Sequence, residues 1–456
     1  MSTAVQRLYF VGIGGIGMSG LARYFRRAGA VVGGYDRTPS ALTETLAEEG
    51  MAIHFDEDPA SIPDALRERP AEVLVVRTPA VPPSSPLLAW WTAAGARIVK
   101  RSELLGLITR DRRTYAVAGT HGKTTVSTLL THLLHSGGVP VNAFLGGISA
   151  NYNTNVLLDE GAVANVVEAD EYDRSFLQLT PTDAIITAAD PDHLDIYGTA
   201  EAMLEAYTAF AGLCSGALLV HERVKAALPA LKAETYAIGG QGIPRAEQVE
   251  VHEGAYRFDL VAEGVTLRGL RLGMAGRHNV ENATAAAVMA LRAGVTPEAL
   301  RSALASFRGV ERRFQSILGG PATIFIDDYA HHPAELDAAI RSARELHPGR
   351  RLTVVFQPHL FTRTRDLADG FARSLAGADR LFLLDIYPAR EEPIPGITSG
   401  WLLDRIAMAD KHLVGPEELL ERLAAERPEL LMTLGAGDID RLVPRIATIL
   451  QHPVAA

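Results

Sequence analysis

The stretch GTHGKTTVSTLL, Gly119 to Leu130, follows the strand-like run TYAVA and leads into an apolar-periodic helix. A buried strand, a glycine-rich turn and a helix start aim backbone N–H groups and a helix N-terminus at one point, which suits a phosphate. Lys123 adds a positive charge for the β- and γ-phosphates, and Thr124 offers a hydroxyl to Mg²⁺. The string departs from the common G-x-x-x-x-G-K-[ST] loop, because Val117 stands where the first glycine would be. It reads instead as a shorter G-T-x-G-K-T-T. An ordinary strand–turn–helix with a surface lysine is the plain alternative.

Working outward, the chain alternates strand and helix signals throughout its 456 residues, too many for a single core. Three strand-then-glycine openings divide it. The first, RLYFVGIGGIGMSGLARYF, is followed by strand-like VVGGYD, EVLVV and ARIV, and this module is expected to span 1–108. The second begins at TYAVAGTHGKTT, continues through VANVVEAD, DAIITAAD and GALLVH, and is expected to span 109–310. Its polar, glycine-rich residues 235–275 predict a small antiparallel hairpin set beside a mostly parallel sheet. The third, 311–456, carries TIFIDDYA, RLTVVFQ, RLFLLDI, HLVG and LLMTLGAGDI. The expectation is an α/β protein of three domains, the first and third Rossmann-like and the central one a P-loop-type unit.

Composition narrows the function classes. A formal net charge of -10 with no Lys/Arg run argues against a nucleic-acid binder. One cysteine, Cys214, excludes an internal disulfide framework and reads as a small buried hydrophobe in a reducing compartment. No signal-peptide pattern opens the chain, and no apolar stretch reaches the ~20 residues that cross a bilayer. A soluble cytoplasmic protein without membrane or nucleic-acid partners is expected.

Gly12, Gly14 and Gly17 form G-x-G-x-x-G after the first strand, with Asp36 at the end of the next. That is a dinucleotide fingerprint, yet its physics suits any diphosphate, so NAD and a UDP-sugar compete on equal terms. EADEYDRSF follows the buried strand VANVV, so Glu168 emerges where a nucleotide-bound Mg²⁺ is held. Asp170, Glu171 and Asp173 are expected to stand behind the metal ligands, to contact substrate or to face solvent. DPDHLDIY ends another strand and offers His193 to a metal or to a developing phosphate charge. Asn279 and Asn282, one turn apart, can cap a helix or meet an adenine edge. Arg312 and Arg313 stand at the second module junction. Asp327, Asp328, Tyr329, His331 and His332 end one strand, and His359, Arg363 and Arg365 follow another. No HExxH or cysteine cluster points to zinc.

Taken in order, GTHGKTT, EADE, DHLD, HNVENA, RRFQ, DDYAHHP, FQPH and GAGDI resemble the Mur ligase family across the whole chain, closest to its alanine-adding branch. The resemblance implies ATP-dependent amide formation between UDP-N-acetylmuramate and L-alanine in peptidoglycan precursor synthesis, by a monomer or weak homodimer. Gly119, Thr120, His121, Gly122, Lys123, Thr124 and Thr125 would then bind ATP together with Asn279, Asn282, Arg313 and Asp328. Gly12, Gly14, Gly15, Gly17, Asp36, Thr78 and His121 would bind the UDP-sugar. Tyr329, His331, Arg363 and Arg365 would meet the amino acid. Thr124, Glu168 and His193 would hold Mg²⁺, two ions in all, with Lys123, Glu168 and His193 catalytic. No lysine falls between Lys123 and Lys225, so the carbamylated lysine of several relatives is absent. Leu360 stands where many alanine-adding members carry arginine, leaving Arg363 or Arg365 for the amino-acid carboxylate. The rivals are a ligase that recycles murein tripeptide onto the same UDP-sugar, a nicotinamide-dependent oxidoreductase with an accessory ATPase, and a nucleotide switch.

Overall fold

A computed structural model describes residues 5–192, 194–389 and 391–451. Its strands form three sheets. In the first, β1 (Arg7–Val11), β2 (Val31–Tyr35), β3 (Ala52–His54), β4 (Leu74–Arg77) and β5 (Arg97–Lys100) lie in the order β3-β2-β1-β4-β5, all parallel. The crossover helices that parallel pairing requires bury their apolar faces on the sheet. Met18, Leu21 and Phe25 of the helix Ile16–Arg27 do so on one face. Tyr9, Tyr35 and Trp91 pack on the other.

The second sheet is centred on β6 (Arg113–Ala118), flanked in parallel by β9 (Ala164–Glu168) and β10 (Asp183–Ile186). β7 (Val141–Ser149) joins β9 in parallel and takes β8 (Thr154–Leu158) antiparallel. On the other side follow β11 (Leu218–His221) and β12 (Glu234–Ile238), also parallel. The strands β13 (Arg245–His252), β14 (Ala255–Ala262) and β15 (Val265–Leu272) are joined by two-residue turns, Glu253-Gly254 and Glu263-Gly264. Glu253 and Gly254 both have positive φ, 52° and 70°, the type I′ hairpin geometry. Only antiparallel strands close over so short a link.

The third sheet runs β16 (Gln315–Gly319), β17 (Ile324–Asp328), β21 (Leu430–Leu434), β18 (Leu352–Phe356), β19 (Arg380–Leu383), β20 (Lys411–Leu413). β16 alone is antiparallel. By contact density the chain separates into two compact units. The first holds residues up to Ala246 with Leu260–Leu267 and Asn282–Leu304. The second holds Glu247–Asp259, Arg268–Glu281 and the chain from Ala305 onward. Cys214, expected buried, is half-buried, its thiol donating to the Thr182 and Ala217 carbonyls.

Candidate active site

Val117 is still inside β6, paired with Ile185 on one side and Glu168 on the other, so the chain leaves the sheet only after Ala118. Gly119 then turns at φ +136°, and a Cβ there would sit 2.1 Å from Thr187 Oγ1 and 2.8 Å from the Ala188 nitrogen. No other residue fits that approach. The Thr120 N–H donates to the Ala188 carbonyl at 3.2 Å, and the Asp190 N–H donates to Thr120 Oγ1 at 3.1 Å. Thr187 Oγ1 donates to the carbonyls of Ala118 and His121. Gly122, at φ +82°, passes so close to Asn282 that a Cβ would lie 2.8 Å from its Oδ1. The helix Lys123–Ser136 starts there with Gly122 as N-cap, so no side-chain cap occupies its positive end.

Lys123 folds back over this turn. Its Nζ donates to the Gly119 carbonyl at 2.7 Å and pairs with both Glu171 oxygens, Oε1 at 2.9 Å and Oε2 at 2.8 Å. Burial alone would lower the lysine pKa. Glu171, then Asp170 and Glu168, more than offset it, and the ammonium is held above its ordinary value. Glu168, at the end of β9, accepts the Gly146 N–H at 3.1 Å, and a Cβ on Gly146 would collide with its carboxylate. Thr124 and Thr125 are buried in the first helical turn. His121 faces Asp190 at 3.7 Å. His193 lies outside the described residues.

The three acidic residues that followed Glu168 without an assigned role each have a basic partner. Glu171 takes Lys123, Asp170 takes Arg101 at 3.2 Å, and Asp173 takes Lys100 at 2.7 Å. Arg101 also lies against the first glycine loop, since a Cβ on Gly17 would be 2.7 Å from its Nη1. A cavity of about 190 Å³ opens here, lined among others by Ile16, Gly17, Arg101, Gly146, Glu168 and Asp170. It joins the start of the helix Ile16–Arg27 to the strand end that carries Glu168.

The first loop is braced internally. The N–H groups of Gly12 and Ile13 donate to the Tyr35 carbonyl, that of Gly14 to Asp36 Oδ2 at 2.7 Å, and that of Gly15 to the Gly12 carbonyl. Asp36 Oδ1 accepts the Thr38 N–H at 3.3 Å. Thr78 packs its methyl where a Gly12 Cβ would be, 2.9 Å away. Gly12, Gly14, Gly15, Gly17, Asp36 and Thr78 are thus gathered in one loop region. The helix begins at Ile16 with Gly15 as its N-cap, and no side chain caps its first turn.

In the second unit, Asp328 at the end of β17 accepts the N–H groups of Phe314 and Ala330, each at 2.7 Å. Burial pushes its pKa up to about 7, against the pull of Arg313. Arg312 is tied to Asp327 at 3.1 Å and to the Gly435 carbonyl at 2.6 Å. Arg313 lies 5.0 Å from the centroid of the Tyr329 ring, a cation–π distance. His331 and His359 face each other with ring centroids 6.2 Å apart, and Arg363 Nη1 is 3.3 Å from His359 Nδ1. Burial, opposed by Glu335, lowers the His331 pKa. Arg365 is elsewhere, exposed and paired with its neighbour Asp366. Glu391 accepts the Thr362 N–H at 3.0 Å and bonds its hydroxyl, fixing the short helix that carries Arg363. Asn279 donates its side-chain amide to the Ala275 carbonyl at 2.5 Å from within the first turn of the helix Arg277–Arg292.

Arg101, Gly146, Glu335 and Glu391 were not singled out in the sequence. Only Glu335 had a local signal, the spacing His332-x-x-Glu335 of a reciprocal helix cap. Among the described residues no group of three or more His, Cys, Asp or Glu is arranged to hold a metal. Mg²⁺ does not require one, since one or two carboxylates and nucleotide phosphates usually hold it. The hard oxygens of Thr124 and Glu168 fit that ion.

Three family models match in series. They are described as Mur ligase family, catalytic domain (residues 7–113), Mur ligase middle domain (117–290), and Mur ligase, glutamate ligase domain (312–437). The chain is 49% identical over 454 residues to the UDP-N-acetylmuramate–L-alanine ligase of Porphyromonas gingivalis strain W83, covering 98% of this chain and 99% of the relative. It is 45% identical over 450 residues to that of Flavobacterium johnsoniae, covering 99% of each. Among solved structures, the UDP-N-acetylmuramate-alanine ligase of Thermotoga maritima superposes with a TM-score of 0.81 at 26% identity, covering 98% of this chain and 99% of that one.

Proposed function

The chain belongs to the Mur ligase family, and on that footing we propose that it adds L-alanine to the lactyl carboxylate of UDP-N-acetylmuramate at the expense of ATP. The observation that carries the reading is the meeting of Lys123, an uncapped helix N-terminus and Glu168 beside a cavity that reaches the first glycine loop. A phosphate site and a place for an anionic sugar tail adjoin there, as carboxylate activation by ATP demands. Full-length identity to alanine-adding relatives favours this reading over the tripeptide-recycling ligase, the oxidoreductase and the nucleotide switch.

In this reading residues 1–108 bind the UDP-sugar through Gly12, Gly14, Gly15, Gly17, Asp36 and Thr78, with His121 reaching the same ligand. Residues 109–310 bind ATP through Gly119 to Thr125, Asn279 and Asn282. Residues 311–456 contribute Arg313 and Asp328 to the nucleotide and take L-alanine. The carboxylate attacks the γ-phosphorus, giving an acyl phosphate and ADP. Two anions must approach each other, and Lys123 with the helix N-terminus neutralises and aligns them. The deprotonated amine of L-alanine then attacks the acyl carbon, the C–O bond to phosphate breaks, and the amine's proton passes to the departing phosphate or to solvent. Thr124 and Glu168, with His193 for a second ion, would hold Mg²⁺, which supplies positive charge to the phosphate oxygens. For the amino-acid carboxylate, the grouping of Arg363 with His331 and His359 favours Arg363 over Arg365. Tyr329 borders the same cluster. No described helix is long and apolar enough to cross a membrane, and we place the reaction in the cytoplasm, carried out by a monomer or weak homodimer.

The test is phosphate release by the purified full-length protein with ATP, Mg²⁺ and UDP-N-acetylmuramate, supplied in turn with L-alanine, L-serine, glycine or a murein tripeptide. Release that requires both the UDP-sugar and L-alanine is expected. Release indifferent to the UDP-sugar removes the ligase reading, and preference for the tripeptide moves the assignment to recycling.

A further inference from the structure

We propose that Glu171 is a positioning residue for phosphoryl transfer, holding the Lys123 side chain over the glycine turn so that its charge is aimed before nucleotide arrives. The inference rests on Lys123 being the group that meets the phosphates. Glu171 is only 1% exposed, and both its oxygens lie within 2.9 Å of Lys123 Nζ. A carboxylate is not buried so deeply without a cationic partner. Its main chain is pinned as well, the carbonyl accepting the Tyr197 hydroxyl at 2.6 Å and the Arg174 N–H at 3.0 Å.

The neighbouring acids are otherwise engaged. Asp170 is paired with Arg101, and Glu168 accepts the Gly146 N–H. Glu171 is therefore the carboxylate that fixes where the ammonium sits. The third hydrogen bond, to the Gly119 carbonyl, ties that position to the turn itself. A lysine has four side-chain torsions, and fixing them at folding removes their ordering from the reaction. Glu171 touches no reacting atom in this scheme and acts through Lys123.

The experiment is a double-mutant cycle on kcat and KM for ATP in the full-length protein with UDP-N-acetylmuramate and L-alanine. Glu171→Gln, of nearly equal shape, is expected to lower kcat by about tenfold or more without raising KM for ATP, since it removes alignment rather than a binding contact. In the Lys123→Ala background the same change is expected to cost nothing further. A residue that served folding alone would lower the residual rate again by the same factor, and that result overturns the proposal, as does an unaltered kcat in Glu171→Gln. Should Glu171→Gln not fold, Glu171→Asp takes its place, with an intermediate kcat and the same non-additivity expected. Full turnover by Lys123→Ala would instead remove the phosphate-site reading itself.

Discussion

Both glycine loops of the first unit leave a buried parallel strand and enter a helix capped by glycine, yet they treat charge in opposite ways. In the loop after β1 the backbone N–H groups from Gly12 to Gly15 are used internally, and Asp36 places a carboxylate on one of them. In the loop after β6 the carboxylate, Glu171, engages a lysine instead, and the turn carries a cation. The first arrangement shapes a surface and leaves the next helical turn to meet a ligand. The second holds a charge ready for chemistry. In the proposed function, similar strings of glycines serve recognition in one case and reaction in the other.

The largest expected effect comes from removing the cation. Lys123→Ala is expected to lower phosphate release by about 10²–10³-fold, the scale of losing one preorganised charge donor. UDP-N-acetylmuramate binding, measured by calorimetry on the full-length variant, is expected to be unchanged. Loss of both would mean that the two loops are not separable. Next comes Gly119→Ala, where a positive φ and a backbone clash combine. Urea denaturation is expected to show a loss of about 3 kcal/mol. A smaller loss would mean that the turn yields more than its contacts suggest.

Asp36→Ala tests the other loop. It strips Gly14 of a charged acceptor, at a cost of about 2 kcal/mol in stability. UDP-sugar affinity is expected to fall by more than that, because Asp36 is proposed to touch the ligand as well as the Gly14 N–H. A fall no greater than the stability loss would leave Asp36 a brace of its own loop and set the two loops further apart in kind. Gly17→Ala is expected to matter least, below about 1 kcal/mol. Its Cβ meets the mobile end of Arg101, and alanine is the better helix former.

What was legible in the sequence was local. Strand, glycine and helix signals within a dozen residues mark both loops, and the polar, glycine-rich alternation of 235–275 marks the hairpins. Glu168 was readable because it ends an apolar run. Glu171 was not, because surface and buried-partner roles look alike until Lys123, 48 positions earlier, is brought beside it. Arg101 sits in an amphipathic helix like any other, and only tertiary structure sets it between Gly17 and Asp170. Asp36 fitted a ligand template so well that its bond to the loop's own backbone went unread. The spacing of Arg363 and Arg365 did not tell that one reaches His359 while the other pairs with its neighbour Asp366.

The valine at 117 has one more consequence. Because β6 keeps Val117 and Ala118 within the strand, just Gly119, Thr120, His121 and Gly122 separate strand from helix. Ordering a backbone residue costs roughly 1–2 kcal/mol, so each residue trimmed from a receptor loop is one fewer to freeze when its ligand lands. A short loop spends its disorder once, when the chain folds, and each arriving phosphate then meets a surface with little left to rearrange.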